Sequence, residues 1–112
     1  MEQRLLAAVA EVGVDGLNAH AERIFQYQPI RFDPACINSV RQAAKTLGYS
    51  HRDMVSGAGH DACYLNRVAP TAMIFIPCVD GISHNELENI SPAWSTAGAN
   101  VLLNAILAQT HA

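Results

Sequence analysis

Charge is scarce in this chain, and basic charge scarcer still: seven Lys and Arg stand against ten Asp and Glu, for a formal net charge of -3. A nucleic-acid surface usually needs clustered basic residues, so no nucleic-acid partner is expected. Charged residues make up 15% of the 112 and hydrophobic residues 50%. That balance opposes intrinsic disorder and allows a packed core. Aromatics are few, with one Trp, three Tyr and three Phe, so Ala, Val, Ile and Leu must fill that core. No run approaches roughly 18 consecutive apolar residues, so neither a membrane span nor a membrane partner is expected. The opening Met1–Gly13 stretch lacks a basic segment followed by an apolar core and cleavage site, and does not read as a secretory signal. Cysteine is limited to Cys36, Cys63 and Cys78, an odd number at wide spacing with no C-x-x-C. A disulfide framework is disfavoured, and a reducing cytoplasm is the expected setting.

The length suits one modest domain or a piece of a larger one. Leu5, Val9 and Val12 recur at helical steps near the start, and Gly13 and Gly16 bracket a turn around Asp15. Leu17–Ile24 alternates apolar and polar residues and predicts an exposed strand, with Pro29 limiting its continuation. Asp33-Pro34 predicts a capped helix start, Ile37, Val40, Ala44 and Leu47 an apolar stripe, and Gly48 its end. Met54-Val55 predicts a short strand leading through a glycine turn into a helix whose first turn holds Asp61. Thr71–Ile76 is apolar on both faces and predicts the most buried strand, stopped by Pro77. Ser91-Pro92 opens a last helix with Trp94, Ala97, Val101, Ala105 and Ala108 on its buried face. The alternating order predicts an α/β fold, with a possible domain boundary at Asp33-Pro34.

Two loops carry candidate chemistry. In Ser56-Gly57-Ala58-Gly59-His60-Asp61, glycines let a backbone approach a ligand, and amides at a helix start can hold an anion or a polarised carbonyl. The plainer alternative is a tight turn with His60 or Asp61 as cap. In Gly81-Ile82-Ser83-His84-Asn85-Glu86-Leu87-Glu88, a histidine follows the expected buried strand, where α/β proteins place ligands. An imidazole there can bind a metal, and a nearby carboxylate can orient it. The alternative is a solvated surface loop, since one histidine is not a metal site. His20, His51 and His111 fall in an expected strand, turn and tail. Cys78 with His84 as base is a third option, opposed by the commoner role of small buried cysteines in packing. Cys36 and Cys63 fall in expected helices and read as packing residues.

Taken together, Met54–Ala62, Pro70–Pro77 and Gly81–Asn85 with Glu88 resemble, in order and spacing, the C-terminal end of the N-carbamoyl-L-amino-acid hydrolase and allantoate amidohydrolase family. That family belongs to the peptidase M20 group of dinuclear-metal amidohydrolases. Pro29–Asp33 resembles, more weakly, the segment leaving the family's lid domain. The resemblance implies a partial catalytic domain of a zinc-exopeptidase-like α/β fold over 34–112. Residues 1–33, a helix and strand, would be the tail of the lid or dimerisation domain, with Met1 inside a lid helix. It implies two divalent metals, zinc or manganese, in the complete enzyme, which polarise a carbamoyl or ureido carbonyl and activate water. Of the family's metal ligands only the last histidine has a counterpart here, His84. The other ligands and the general-base Glu lie upstream. Gly57, Ala58 and Gly59 match positions whose backbone approaches the substrate. His60 and Asp61 match the motif without an assigned role, and Glu86 stands where many members have proline. The expected chain is thus the C-terminal piece of a hydrolase, inactive alone and holding no metal stably. It would act on a small carbamoyl or ureido substrate when completed by an N-terminal half on another chain. The competing expectation is a non-catalytic remnant that binds itself or a partner. Open sheet edges and uncovered helix faces predict a homo-oligomer on either reading.

Overall fold

Asp33 marks where the chain begins to pack into its core. The computed structural model describes residues 2–12, 16 and 18–110. Their helices are α1 (Glu2–Val12), α2 (Pro34–Thr46), α3 (Ala62–Leu65) and α4 (Pro92–Thr110), with a 3-10 turn at Val79–Gly81. Asp33 is extended, and its carboxylate accepts the Cys36 N–H at 2.9 Å. Pro34 follows at the first helical position, where its missing N–H costs nothing. At the other end of α2, Gly48 takes a left-handed φ of 73°. Its N–H donates to the Lys45 carbonyl at 3.0 Å, and the Tyr49 N–H donates to Ala44 at 2.9 Å. These paired bonds satisfy carbonyls that the helix end would otherwise leave open. In α4, Ser91 Oγ accepts the Trp94 N–H at 3.2 Å, just ahead of the Pro92 start.

The core lies where α2 meets α4. Ala43, Ala44, Val101 and Ala105 are buried there, ringed by Val40, Leu47, Tyr49 and Ile74. Three alanines let the helices approach closely. The Asn100 amide donates to Tyr49 Oη at 3.4 Å, and the Gln109 amide reaches Ser39 Oγ. Residues 71–76 run across this pair. Ala72, Ile74 and Ile76 line one surface with Val40, Gly98 and Leu102 of the helices. That alternation is the two-residue period of an extended chain. Gly98 makes the approach possible, because a Cβ there would fall 2.7 Å from Ile76 Cγ2. Asp33 N–H donates to the Thr71 carbonyl at 3.0 Å and ties the start of α2 to this segment.

No strand forms among the described residues, which corrects the expected α/β order. Thr71–Ile76 has the right side-chain period but no neighbouring strand to bond, and a strand is defined by that pairing. It is half-buried on the helix side, while Phe75 is 44% exposed. Met54 and Val55 are likewise unpaired, and Val55 is 94% exposed. The expected strand Leu17–Ile24 begins on a residue outside those described, and the described part, 18–24, is unpaired. The turn at Gly13–Asp15, Met1 and His111 also lie outside them. On α4, Trp94 and Ala108 are exposed rather than buried. The N-terminal arm is held by few contacts. Arg23 pairs with Glu2, Tyr27 Oη lies 2.6 Å from Tyr64 Oη, and the Asn66 amide donates to the Arg31 carbonyl at 3.0 Å. No residue of α1 is buried.

The chain exposes 9348 Å². A folded monomer of this mass would expose about 6,000 Å². The radius of gyration is 20.2 Å, where a domain of this length would show about 13 Å. Leu102, Leu103 and Ile106 of α4 are each more than half exposed. No helix among the described residues is long and apolar enough to cross a membrane.

Candidate functional site

The glycine loop is closed by its own side chains. Ser56 Oγ lies 2.7 Å from His60 Nε2 and accepts the Ala58 N–H at 3.2 Å. Ser56, Ala58 and His60 are half-buried, whereas Gly57 and Gly59 are exposed. The His60 ring meets Phe75 edge-on, with centroids 5.5 Å apart and planes at 64°. The loop is therefore anchored through His60 to the extended 71–76 segment. Neither Gly57 nor Gly59 adopts a left-handed φ, and a Cβ at either would meet nothing within 4 Å. The chain's own packing does not require glycine at these positions. Asp61 stands at the start of α3 without a side-chain cap bond. Neither His60 nor Asp61 is therefore the side-chain cap that the plainer sequence reading offered.

The second loop is organised by Glu88. The Val79 N–H donates to the Asn89 carbonyl at 2.8 Å and closes its base. Asp80 and His84 are the two non-glycine residues at positive φ among those described, at 55° and 57°. Such a conformation is uncommon for a residue with a side chain and persists only where neighbours fix it. For His84 the neighbour is Glu88, whose Oε2 accepts the His84 N–H at 2.8 Å. The other oxygen, Oε1, lies 3.7 Å from Cys78 Sγ. Asn85 adds two bonds, its carbonyl accepting from Glu88 N–H and its side chain from Leu87 N–H, each at 2.9 Å. His84 itself is exposed.

This geometry removes the support for a Cys78 nucleophile paired with His84. The thiol faces the Glu88 carboxylate, and its pKa is pushed up by burial and then by the Glu88 charge and hydrogen bond. A nucleophilic cysteine needs the opposite shift. Cys36 is also pushed up, by burial and then by Asp33. Among the described residues no three His, Cys, Asp or Glu side chains gather to hold a metal ion. A lone exposed imidazole can supply one ligand of a metal centre but not a whole one, which takes three or four. Nor does any hydrogen bond between described residues join the two loops. The sequence singled out both loops but gave Ser56 and Glu88 no separate role. The available signal was spacing: each stands four residues from a histidine.

Comparison with known proteins places these loops in context. Residues 4–108 match the model described as peptidase family M20/M25/M40. The N-carbamoyl-L-amino-acid amidohydrolase of Rhizobium meliloti is 53% identical over 92 residues, covering 82% of this chain and 22% of that protein. The allantoate amidohydrolase of Bacillus subtilis is 31% identical over 91 residues, covering 81% of this chain and 22% of that protein. A crystal structure of a hydantoinase/carbamoylase family amidase from Burkholderia multivorans aligns with a TM-score of 0.86 at 59% identity. That alignment covers 96% of this chain and 26% of the other. The chain thus spans about a quarter of the length of the proteins it matches.

Proposed function

Because the chain belongs to peptidase family M20/M25/M40 and its fold is a fragment of that family's fold, we propose that it is the C-terminal part of an amidohydrolase. The bond cleaved is a carbamoyl or ureido C–N bond in a small N-carbamoyl amino acid or an allantoate-like molecule. The reading is carried by His84, a non-glycine residue held at a φ of 57° by the Glu88 carboxylate. Strained backbone of this kind clusters at functional sites. On this reading His84 is one ligand of a metal pair, zinc or manganese, whose other ligands and general base lie outside this chain. A divalent metal supplies carbonyl polarisation and water activation. The part this chain plays is to present one imidazole from a fixed backbone and a glycine loop to the substrate. Gly57, Ala58 and Gly59 bring the backbone to the substrate, which accounts for glycine at two positions where the chain's own packing leaves room for a side chain. Residues 34–112 belong to the catalytic domain and 1–33 to the end of the lid domain, and the setting is cytoplasmic.

The test is ammonia release from N-carbamoyl amino acids and from allantoate. The chain alone is expected to be inactive. Adding an N-terminal half of such an enzyme is expected to restore turnover, with loss on chelation and in His84→Ala. Turnover by the isolated chain, or full activity of His84→Ala in the completed enzyme, would overturn the assignment.

A second reading is a non-catalytic remnant that associates with itself, and the exposed surface supports the self-association it shares with the first. The surface exceeds that of a folded monomer by about 3,300 Å². Stable homodimers bury about 2,000–5,000 Å² in total, so two copies have ample surface to share. Sedimentation at micromolar concentration should then give a homo-oligomer on either reading. A monodisperse monomer would contradict that expectation.

A further inference from the structure

One side-chain hydrogen bond, between Ser56 and His60, spans the glycine loop. It joins two half-buried polar side chains across a loop whose glycines are exposed. Ser56 Oγ already accepts the Ala58 N–H. Its own proton has one acceptor among the described residues, His60 Nε2 at 2.7 Å. With the hydroxyl donating, Nε2 is the unprotonated nitrogen and the ring proton sits on Nδ1; the alternative is an Nε2–H donating to the second lone pair of Oγ, and the tautomer decides between them. The imidazole ring also meets Phe75 edge-on. Serine, histidine and phenylalanine thus fix both ends of the Gly57–Gly59 stretch while leaving the stretch itself free of side-chain cover. Among the described residues, the amides of Gly57 and Gly59 have no protein acceptor.

We infer that Ser56 is a positioning residue: it locks His60 as the Nδ1–H tautomer and holds the Gly57–Gly59 backbone ready for a polar group of the substrate. This deepens the proposed amidohydrolase reading and rests on it for the identity of the substrate. The advantage is preorganisation, since a loop already held in its bound shape loses less freedom on binding. The hydroxyl takes no part in bond breaking.

The tautomer is tested on the 112-residue chain by nitrogen-detected imidazole NMR above pH 8, with exposed His20 and His84 as internal comparators. His60 should show a protonated Nδ1 and an acceptor Nε2, the tautomer that free imidazole disfavours. Ser56→Ala should return it to the comparators' pattern, and Ser56→Thr should keep the wild-type pattern. An Nε2-protonated His60 in the wild type, or no response to Ser56→Ala, overturns the lock. The role is tested in the enzyme completed by an N-terminal half. Ser56→Ala should raise KM about five- to tenfold, the scale of one lost hydrogen bond, with kcat within about twofold and rescue by threonine. A fall in kcat at constant KM, or no rescue, overturns substrate positioning. A completed wild-type enzyme without turnover overturns the amidohydrolase reading and the substrate role with it, while the NMR result still decides the lock.

Discussion

Gly98→Ala should destabilise this chain, although the same change in an isolated helix would stabilise it. Gly98 lies inside α4, where alanine is favoured over glycine by about 1 kcal/mol. The new Cβ would sit 2.7 Å from Ile76 Cγ2, with Cδ1 and Cβ of the same residue at 3.9 and 4.0 Å. The first distance is too short for two carbons, and a β-branched side chain has little freedom to swing away. Overpacking of this sort costs about 1–3 kcal/mol, so the net effect is a loss of up to about 2 kcal/mol. Ile76→Ala removes the offending methyl. In that background Gly98→Ala should instead gain about 1 kcal/mol, because only helix propensity remains. Urea unfolding followed by circular dichroism gives the four midpoints of the cycle, and the coupling should be about 1–3 kcal/mol. Equal stabilisation by Gly98→Ala in both backgrounds would refute the reasoning. It would mean that the 71–76 segment does not lie against α4.

Other changes test other links. Ser91→Ala removes the acceptor for the Trp94 N–H and should cost about 1 kcal/mol, read as a lower urea midpoint. The Asp33 carboxyl is held below its usual range, chiefly by the hydrogen bond from the Cys36 amide. A lowered folded pKa contributes stability that is present above the ordinary carboxylate value and lost as pH falls through the folded one. Urea midpoints should therefore fall in acid more steeply for the wild type than for Asp33→Asn. Cys78 has the opposite sign: its raised pKa contributes stability present below the ordinary thiol value and lost as pH rises through the folded one. Glu88→Gln removes the carboxylate charge but not the burial, so iodoacetamide should alkylate Cys78 faster at pH 8 than in the wild type, read by peptide mass mapping.

The helices were legible because their signals are local. Asp33-Pro34, Gly48 and Ser91-Pro92 act within a few residues, and α2 and α4 begin or end where those residues direct. The stripe from Ile37 to Leu47 was read correctly in direction, but it took one residue per turn and so left out Ala43, which lies three residues after Val40 and beside Ala44 on the same buried face. Trp94 misled for the opposite reason: its bulk suggests burial, yet it stands 39% exposed. The strands failed because pairing is not a local property. Thr71–Ile76 has the composition of a buried strand and the alternation of an extended chain, but nothing in its own residues supplies the neighbouring backbone. In the loops, the sequence marked His84 and the glycines by motif. It did not reveal that Glu88 grips the His84 amide or that Ser56 grips His60, because hydrogen bonds depend on how the loop folds back. Family membership was readable from three motifs in order, since motif spacing survives where pairing partners do not.

The most direct measurement of the central claim is a titration of activity. An N-terminal half of such an enzyme, at fixed concentration with divalent metal, receives increasing amounts of this chain, and ammonia release from an N-carbamoyl amino acid is followed. Turnover should rise from nothing and level off at one chain per complementing part. The His84→Ala chain should bind without restoring turnover. Turnover independent of this chain, or restored equally by His84→Ala, would contradict the claim that the chain completes an amidohydrolase through His84.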